Sequence, residues 1–160
     1  MKHFTMEELT RSDTARSKGI DNTPTPEHQR NLVEMVESLI DPMREQWAIR
    51  CAHEQLGTPQ LRVSSGYRSG ALNAAVGGSA TSAHSFGYAL DLVPMNGQFR
   101  QFKNFCREFL KNRKFDQMIS EDEDVGGVPR WVHIGYKNGE GKQRRQLLSM
   151  RNGNYIPMTA

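Results

Sequence analysis

Two short segments, ALDLV at residues 89–93 and WVHIGY at residues 131–136, alternate large apolar side chains with a single polar one. Successive side chains of a β-strand point to opposite faces of the sheet. Asp91 therefore points away from the two flanking leucines, and His133 points away from the flanking valine and isoleucine. Both patterns predict strands that bury one apolar face and carry a polar group on the other.

Helical patterns surround these strands. One short helix is predicted within residues 5–18, which open with the spacing of a capping box. A second helix begins at Thr25, carries apolar residues three or four positions apart, and is expected to bend or break at Pro42. A short helix is predicted within residues 69–78, and an amphipathic helix with aromatic residues along one side within residues 98–112.

Two further strands complete the predicted order. LRVSSGYR at residues 61–68 alternates apolar and polar side chains before a turn at Gly66, and residues 115–119 are predicted to form a further strand. Helices packed on a small, mainly antiparallel sheet, an α+β domain, fit this order best. A chain of 160 residues is long enough to bury one core, so we expect a single domain over residues 1–160.

Composition and termini exclude some classes of protein. No run approaches the roughly 20 apolar residues of a membrane-spanning helix, so no membrane partner is expected. The first residues, MKHFTMEELTRSD, lack the apolar core of a secretory signal, which favours a protein made in the cytoplasm. Cys51 and Cys106 lie in helical patterns and are interpreted as two buried thiols.

A formal charge of +3 suits an anionic partner, but most of the surplus lies in one basic run, KNGEGKQRRQ at residues 137–146. Such a run is typical of a solvated face. No aromatic residues are interleaved with it as a stacking platform for nucleic acid requires, so a nucleic-acid partner is not expected.

His84 precedes the first strand and is separated from it by Gly87, which allows a turn. If the two strands are neighbours, His84, Asp91 and His133 converge, and with water they make the open tetrahedral set of a catalytic zinc ion. Spacing alone also allows a loop histidine bonded to backbone, a salt-bridged aspartate and a half-buried core histidine. The other histidines have no comparable context and are expected at the surface: His3, His28 and His53.

The segment SGYRSGALNAAVGGSATSAHSFGYALDL resembles the core of the M15 metallopeptidases, the group of D-alanyl-D-alanine carboxypeptidases and phage endolysins. The family pattern is S/T-x-H-x-x-G-x-A-x-D, followed later by a W-x-H strand. The resemblance covers roughly residues 3–136. The matching residues here are Ser82, His84, Gly87, Ala89 and Asp91, and then Trp131 and His133.

The resemblance implies one zinc ion per chain, bound by His84, Asp91 and His133, and the fold that the D-Ala-D-Ala peptidases share with the Hedgehog signalling domain. It also implies hydrolysis of peptides of bacterial peptidoglycan, as carboxypeptidase or endopeptidase, by a monomer of phage or prophage origin. Such a protein, made in the cytoplasm without a secretory signal, would reach the cell wall by another route. A non-catalytic binding module stabilised by zinc is the alternative, because one signalling domain shares this fold.

Family members use an acid near the last histidine as general base, which corresponds to Glu121 in FDQMISE. The longer insertion that follows offers Glu123 and Asp124 as alternatives, and a solvated acidic loop is the plain interpretation of all three. The resemblance also implies that Arg68 reaches the substrate, although a salt bridge at a helix start is equally compatible with it. Ser82 is expected to donate a hydrogen bond near the site.

Overall fold

The structure is a computed structural model and describes residues 1–159. It is an α+β fold, as predicted. The helices are α1 (Met6–Thr10), α2 (Asp13–Lys18), α3 (Pro26–Met35), α4 (Asp41–Glu54), α5 (Gly70–Ala75) and α6 (Phe99–Leu110). The strands are β1 (Leu61–Ser65), β2 (Ala89–Pro94), β3 (Gln117–Glu121), β4 (Trp131–Gly135), β5 (Gln146–Arg151) and β6 (Asn154–Pro157).

The strands form one six-stranded sheet in the order β1-β2-β4-β3-β5-β6. Every neighbouring pair is antiparallel except β3 and β5, which run parallel. The prediction of a mainly antiparallel sheet is therefore confirmed. The last two strands, β5 and β6, were not predicted.

Strand β3 begins two residues later than predicted. Phe115 is buried in the core, and the buried side chain of Asp116 accepts two hydrogen bonds from the guanidinium of Arg144, at 2.8 Å each. Pairing with β4 starts only at Gln117, opposite Gly135. At its other end the strand extends to Glu121, which was expected just beyond the strand.

One face of the sheet and the helices α3, α4 and α6 enclose the core. The aliphatic residues of β2 and β4 that alternate with Asp91 and His133 are fully buried on this face. Trp47 of α4 packs edge-on against Phe102 of α6, with ring centroids 5.1 Å apart. Burial of each large side chain stabilises the fold by about 1.5–3 kcal/mol. The free energy of burial therefore fixes which face of the sheet packs against the helices.

The predicted helix within residues 5–18 is in fact two helices. Arg11 is extended, with φ −66° and ψ 135°, and Ser12 caps the second helix by accepting a hydrogen bond from the backbone N–H of Ala15. A serine side chain that satisfies a free N–H at a helix start favours a new helix over continuation of the first. The capping box between Thr5 and Glu8 is present as predicted.

The predicted bend near Pro42 takes the form of a π-helical turn. Residues Val36–Ile40 form this turn between α3 and α4, and Pro42 lies in the first turn of α4. Proline has no N–H to donate to the preceding turn, so the regular hydrogen-bond ladder is interrupted there. Both sides of the interruption stay buried, because Val36, Leu39 and Ile40 pack into the core.

Cys51 and Cys106 are free and buried, as predicted. Within residues 1–159, every helix is too short or too polar to cross a membrane.

Candidate metal centre

Asp91 and His133 occupy directly opposite positions on the antiparallel strands β2 and β4. Opposite residues of such a pair share one face of the sheet. The Oδ1 atom of Asp91 lies 3.0 Å from Nδ1 of His133. The sequence pattern could only assume that the two strands are neighbours. In the structure they are neighbours, and this brings the two polar groups into contact.

His84 joins this pair from a short 3-10 helix, Ala83–Phe86, just before β2. The helix ends at Gly87, whose φ of 77° favours glycine, and a Cβ atom there would lie 2.7 Å from the carbonyl oxygen of His28. Nδ1 of His84 lies 2.8 Å from the carbonyl oxygen of Gly66. Its Nε2 lies 3.4 Å from Oδ1 of Asp91 and so faces the pair.

The three side chains fit a transition-metal ion. Each offers one ligand atom, and these atoms all lie within 4.8 Å of one another in a buried cluster. Two imidazole nitrogens and one carboxylate oxygen are a common catalytic zinc set with an open position. The Gly66 carbonyl accepts the Nδ1–H of His84, which leaves the Nε2 lone pair free for a metal.

The pKa shifts in the cluster favour the protonation states that bind a metal. Burial lowers the pKa of His84, which keeps its imidazole neutral near pH 7. Burial alone would raise the pKa of Asp91, but the adjacent imidazoles of His84 and His133 hold it below its ordinary value. A neutral imidazole and an ionised carboxylate are the forms that coordinate zinc.

The cluster opens into a cleft of about 640 Å³. Its floor is the polar face of the sheet, because every second residue of the central strands points into it. Residues before β2 form one wall, and the last two strands form the other. The floor and the β5–β6 wall are lined by Asp91, Gln117, Ile119, Glu121, Trp131, His133, Leu148, Met150 and Tyr155.

Glu121 lines this cleft as the last residue of β3. Burial raises the pKa of its carboxyl group to about 7, with the nearby carboxylate of Asp91 adding to the effect and His133 opposing it. A carboxylate with a pKa near neutrality accepts a proton and releases it again close to physiological pH. Glu121 is therefore the acid whose position suits a general base.

The two alternative acids point elsewhere. The buried carboxylate of Glu123 accepts hydrogen bonds from Lys103 at 2.7 Å, Ser149 at 2.7 Å and Arg151 at 2.6 Å. Asp124 accepts the backbone N–H groups of Gly126 and Val128 within its own loop. Neither acid lines the cleft, and Glu123 is not the solvated loop residue that its sequence context indicates.

Residues 2–134 match the sequence model of the family described as Peptidase M15. The chain belongs to the peptidase M15 family. A search of curated proteins gave no significant match. Family membership supports a peptidase, and the His84–Asp91–His133 cluster supports a metal-dependent one. The matched region of this M15 chain ends within β4, so β5 and β6 lie outside it.

Arg68 lines the cleft of this M15 chain and also contacts neighbouring side chains of the protein itself. Its Nη2 lies 3.7 Å from Oδ2 of Asp91, and its Nε donates to Oγ of Ser65 at 3.2 Å. The guanidinium thus faces the oxygen of Asp91 that the histidines leave free. Both sequence-based interpretations, a cleft arginine and a salt bridge, describe features of the same side chain.

Ser82 lines the same wall of the M15 cleft. Its Oγ accepts the backbone N–H of His84 at 3.3 Å and so caps the short helix that carries this histidine. Its hydroxyl thus has a structural partner, and a hydrogen bond to a substrate remains a prediction.

The sequence interpretation missed several residues that line the M15 cleft, among them Arg144, Leu148, Met150 and Tyr155. Arg144 belongs to the basic run, and its pairing with buried Asp116 shows that the run is partly structural. The alternation of Leu148, Ser149, Met150 and Arg151 is a weak local signal for β5, whereas NYIP carries no such alternation. His28 was expected at the surface but is half-buried, with its Nδ1 3.0 Å from the hydroxyl of Tyr67.

Proposed function

We propose that this chain is a zinc-dependent peptidase that hydrolyses peptide bonds in the stem peptides or cross-links of bacterial peptidoglycan. The observation that carries the proposal is the placement of Glu121 in one cleft with the buried cluster of His84, Asp91 and His133. Family membership supports the reaction class, and the resemblance to cell-wall peptidases and phage endolysins supports the substrate class and a phage or prophage origin.

His84 Nε2, His133 Nδ1 and a carboxylate oxygen of Asp91 would hold the ion. When bound, zinc supplies the Lewis acidity that polarises the scissile carbonyl and makes water a better nucleophile. The hydrogen bond from His84 to Gly66 and the ion pair of Asp91 with Arg68 keep two of these ligands oriented before substrate arrives.

Glu121 acts as the general base. Its carboxylate accepts a proton from the attacking water and returns a proton to the leaving amine, as its pKa of about 7 allows. The guanidinium of Arg68 offers a fixed positive charge in the same cleft, which suits a substrate carboxylate or the oxyanion that develops during attack.

A zinc-stabilised binding module of the same fold is the second candidate function. The buried Glu121 disfavours it, because binding does not require an acid with a raised pKa beside the metal cluster. The net charge of +3 is compatible with either, since the stem peptides carry carboxylates.

The deciding experiment is incubation of the zinc-loaded protein with purified muropeptides of defined structure, followed by separation and mass analysis of the products. We expect cleavage of one type of peptide bond, loss of cleavage with a chelator, and recovery when zinc is restored. The products also distinguish a carboxypeptidase, which releases a terminal residue, from an endopeptidase. Binding of muropeptides with no product would support the binding module instead.

A further inference from the structure

The wall of the cleft away from Arg68 is built by the hairpin of β5 and β6. Leu148 lies opposite Ile119 in the parallel pair of β5 with β3, and Met150 lies opposite Tyr155 in the hairpin. Paired residues share a face of the sheet, so these side chains follow one another across three adjacent strands. All of them line the cleft that contains the metal cluster.

The two walls of the cleft differ in chemistry. The wall before β2 presents the guanidinium of Arg68 and the hydroxyls of Ser79, Thr81 and Ser82. The hairpin wall presents a leucine, a methionine and a tyrosine, and Tyr155 is 60% exposed. The guanidinium of Arg144, which lines the cleft just before β5, is already paired with the buried carboxylate of Asp116. Since large apolar side chains exposed beside a reactive centre commonly contact a ligand, this asymmetry indicates how a substrate lies in the cleft.

We propose that Leu148, Met150 and Tyr155 form an apolar subsite for an uncharged, apolar side chain of the substrate peptide, next to the scissile bond and on the side away from Arg68. The inference rests on the proposed function, because it takes the metal cluster as the position of the scissile bond. A charged side chain there would lose water without gaining an ionic partner from these three residues. An acidic one would also be repelled by Glu121.

The aromatic ring of Tyr155 carries most of this contact. Partial desolvation at the edge of the cleft and the carboxylates of Glu121 and Asp91 raise the pKa of its phenol, so the group stays uncharged near neutral pH. The neighbouring Ile156 provides a matched control, because it is also exposed but pairs with Ser149 on the opposite face of the hairpin. Removal of the Tyr155 ring should therefore affect the substrate, and removal of the Ile156 side chain should not.

The test compares Tyr155→Ala, Tyr155→Phe and Ile156→Ala in the zinc-loaded protein. Steady-state kinetics on a synthetic stem pentapeptide ending in D-Ala-D-Ala should show an increase in KM of about tenfold for Tyr155→Ala, the scale of losing part of one aromatic contact. Tyr155→Phe and Ile156→Ala should match the wild type. Zinc content and melting temperature should be unchanged in all three, since Tyr155 is mostly exposed.

A second measurement separates this inference from the proposed function. Calorimetric titration of the same pentapeptide into Glu121→Gln, with and without Tyr155→Ala, reports binding without turnover and should show an affinity about tenfold lower for the double variant. The subsite alone would be overturned if the wild type cleaves the peptide, Tyr155→Ala has the wild-type KM, and Tyr155→Ala leaves the Kd of Glu121→Gln unchanged. Tenfold weaker binding in the double variant, without any cleavage of the pentapeptide or of muropeptides by the wild type, would overturn the proposed function alone. Absence of binding and of cleavage with every one of these peptides would overturn both.

Discussion

Glu121 and Glu123 stand two residues apart in the chain, yet Glu121 faces the cleft while the carboxylate of Glu123 lies 2.7 Å from Nζ of Lys103 in helix α6. In a continuous strand both side chains would share one face. Asp122 between them has a φ of 49°, in the left-handed region, which ends the alternation of β3. The chain thereby directs one acid towards the metal cluster and uses the other to attach the loop to α6 and β5.

Removal of a metal ligand should empty the site. The wild-type protein should bind about one zinc per chain, and Asp91→Ala or His133→Ala should lose it, because three protein ligands are the usual catalytic minimum. His53→Ala, at an exposed histidine of α4, should retain the metal. Elemental analysis after dialysis measures all four proteins, and full zinc content in both ligand variants would contradict the assignment.

Glu121→Gln keeps the shape of the side chain but cannot accept a proton. Muropeptide turnover should fall by roughly 100-fold or more while zinc remains bound, the usual scale for loss of a general base. Asp124→Asn is the matched control, since Asp124 only holds its own loop through Gly126 and Val128. Normal turnover in Glu121→Gln, together with an inactive Asp124→Asn or Glu123→Gln, would assign the base to the insertion.

Arg68→Lys keeps the positive charge but removes the planar guanidinium that pairs with two atoms at once. Catalysis should be impaired, with a rise in KM if the contact is equal in ground and transition states and a fall in kcat if it forms only with the oxyanion. Melting temperature and zinc content should change little, because the Asp91 contact is long, at 3.7 Å. Normal kinetics would remove Arg68 from the site, whereas lost zinc with a lower melting temperature would make it a structural residue.

Stability below pH 5 should depend on Glu123. Burial opposes its ionisation, but hydrogen bonds from Lys103, Ser149 and Arg151 lower its pKa to about 2. A folded-state pKa below the unfolded value contributes stability that is present above about pH 4.5 and lost as the pH falls towards 2. Urea unfolding at pH 5 and pH 2, with chelator throughout, should show that the wild type loses about 3 kcal/mol more than Glu123→Gln.

Glu27→Gln, at an exposed carboxylate of α3, is the control for this experiment and should follow the wild type. A parallel loss of stability in wild type and Glu123→Gln would mean that the buried ion pairs do not contribute through ionisation of Glu123.

Gly66→Ala should weaken both the fold and the metal site. A Cβ atom on Gly66 would lie 2.2 Å from the carbonyl oxygen of Leu9, and the Gly66 carbonyl orients His84. Overpacking of this kind costs about 1–3 kcal/mol, and loss of a partner behind a metal ligand lowers affinity by roughly 10- to 100-fold. Gly70→Ala, in open space at the start of α5, should leave unfolding and zinc titrations unchanged. Wild-type zinc affinity in Gly66→Ala would show that the Gly66 carbonyl does not position His84.

Local patterns in the sequence were sufficient for much of the fold. The alternation in β2 and β4 placed Asp91 and His133 on the faces they occupy, and the capping box of α1 and the start of α3 at Pro26 follow from side chains close in sequence. Strands β5 and β6 were missed because β5 pairs with β3, a segment about 29 residues earlier in the chain. A strand stabilised by such a distant partner carries only a weak local signal.

The sequence by itself therefore determined which side chains offer metal-binding atoms, since this depends on their chemistry. It also determined which faces of β2 and β4 Asp91 and His133 occupy, since this depends on the period of two of a strand. Only the tertiary structure decided which acid meets the metal cluster. That choice depends on one left-handed residue, Asp122, and on the ion pair of Glu123 with Lys103, a residue 20 positions away. Ionic and hydrogen-bonding partners distant in sequence are selected by packing, so the family resemblance favoured Glu121 but no local pattern could show that Glu123 turns away from the cleft.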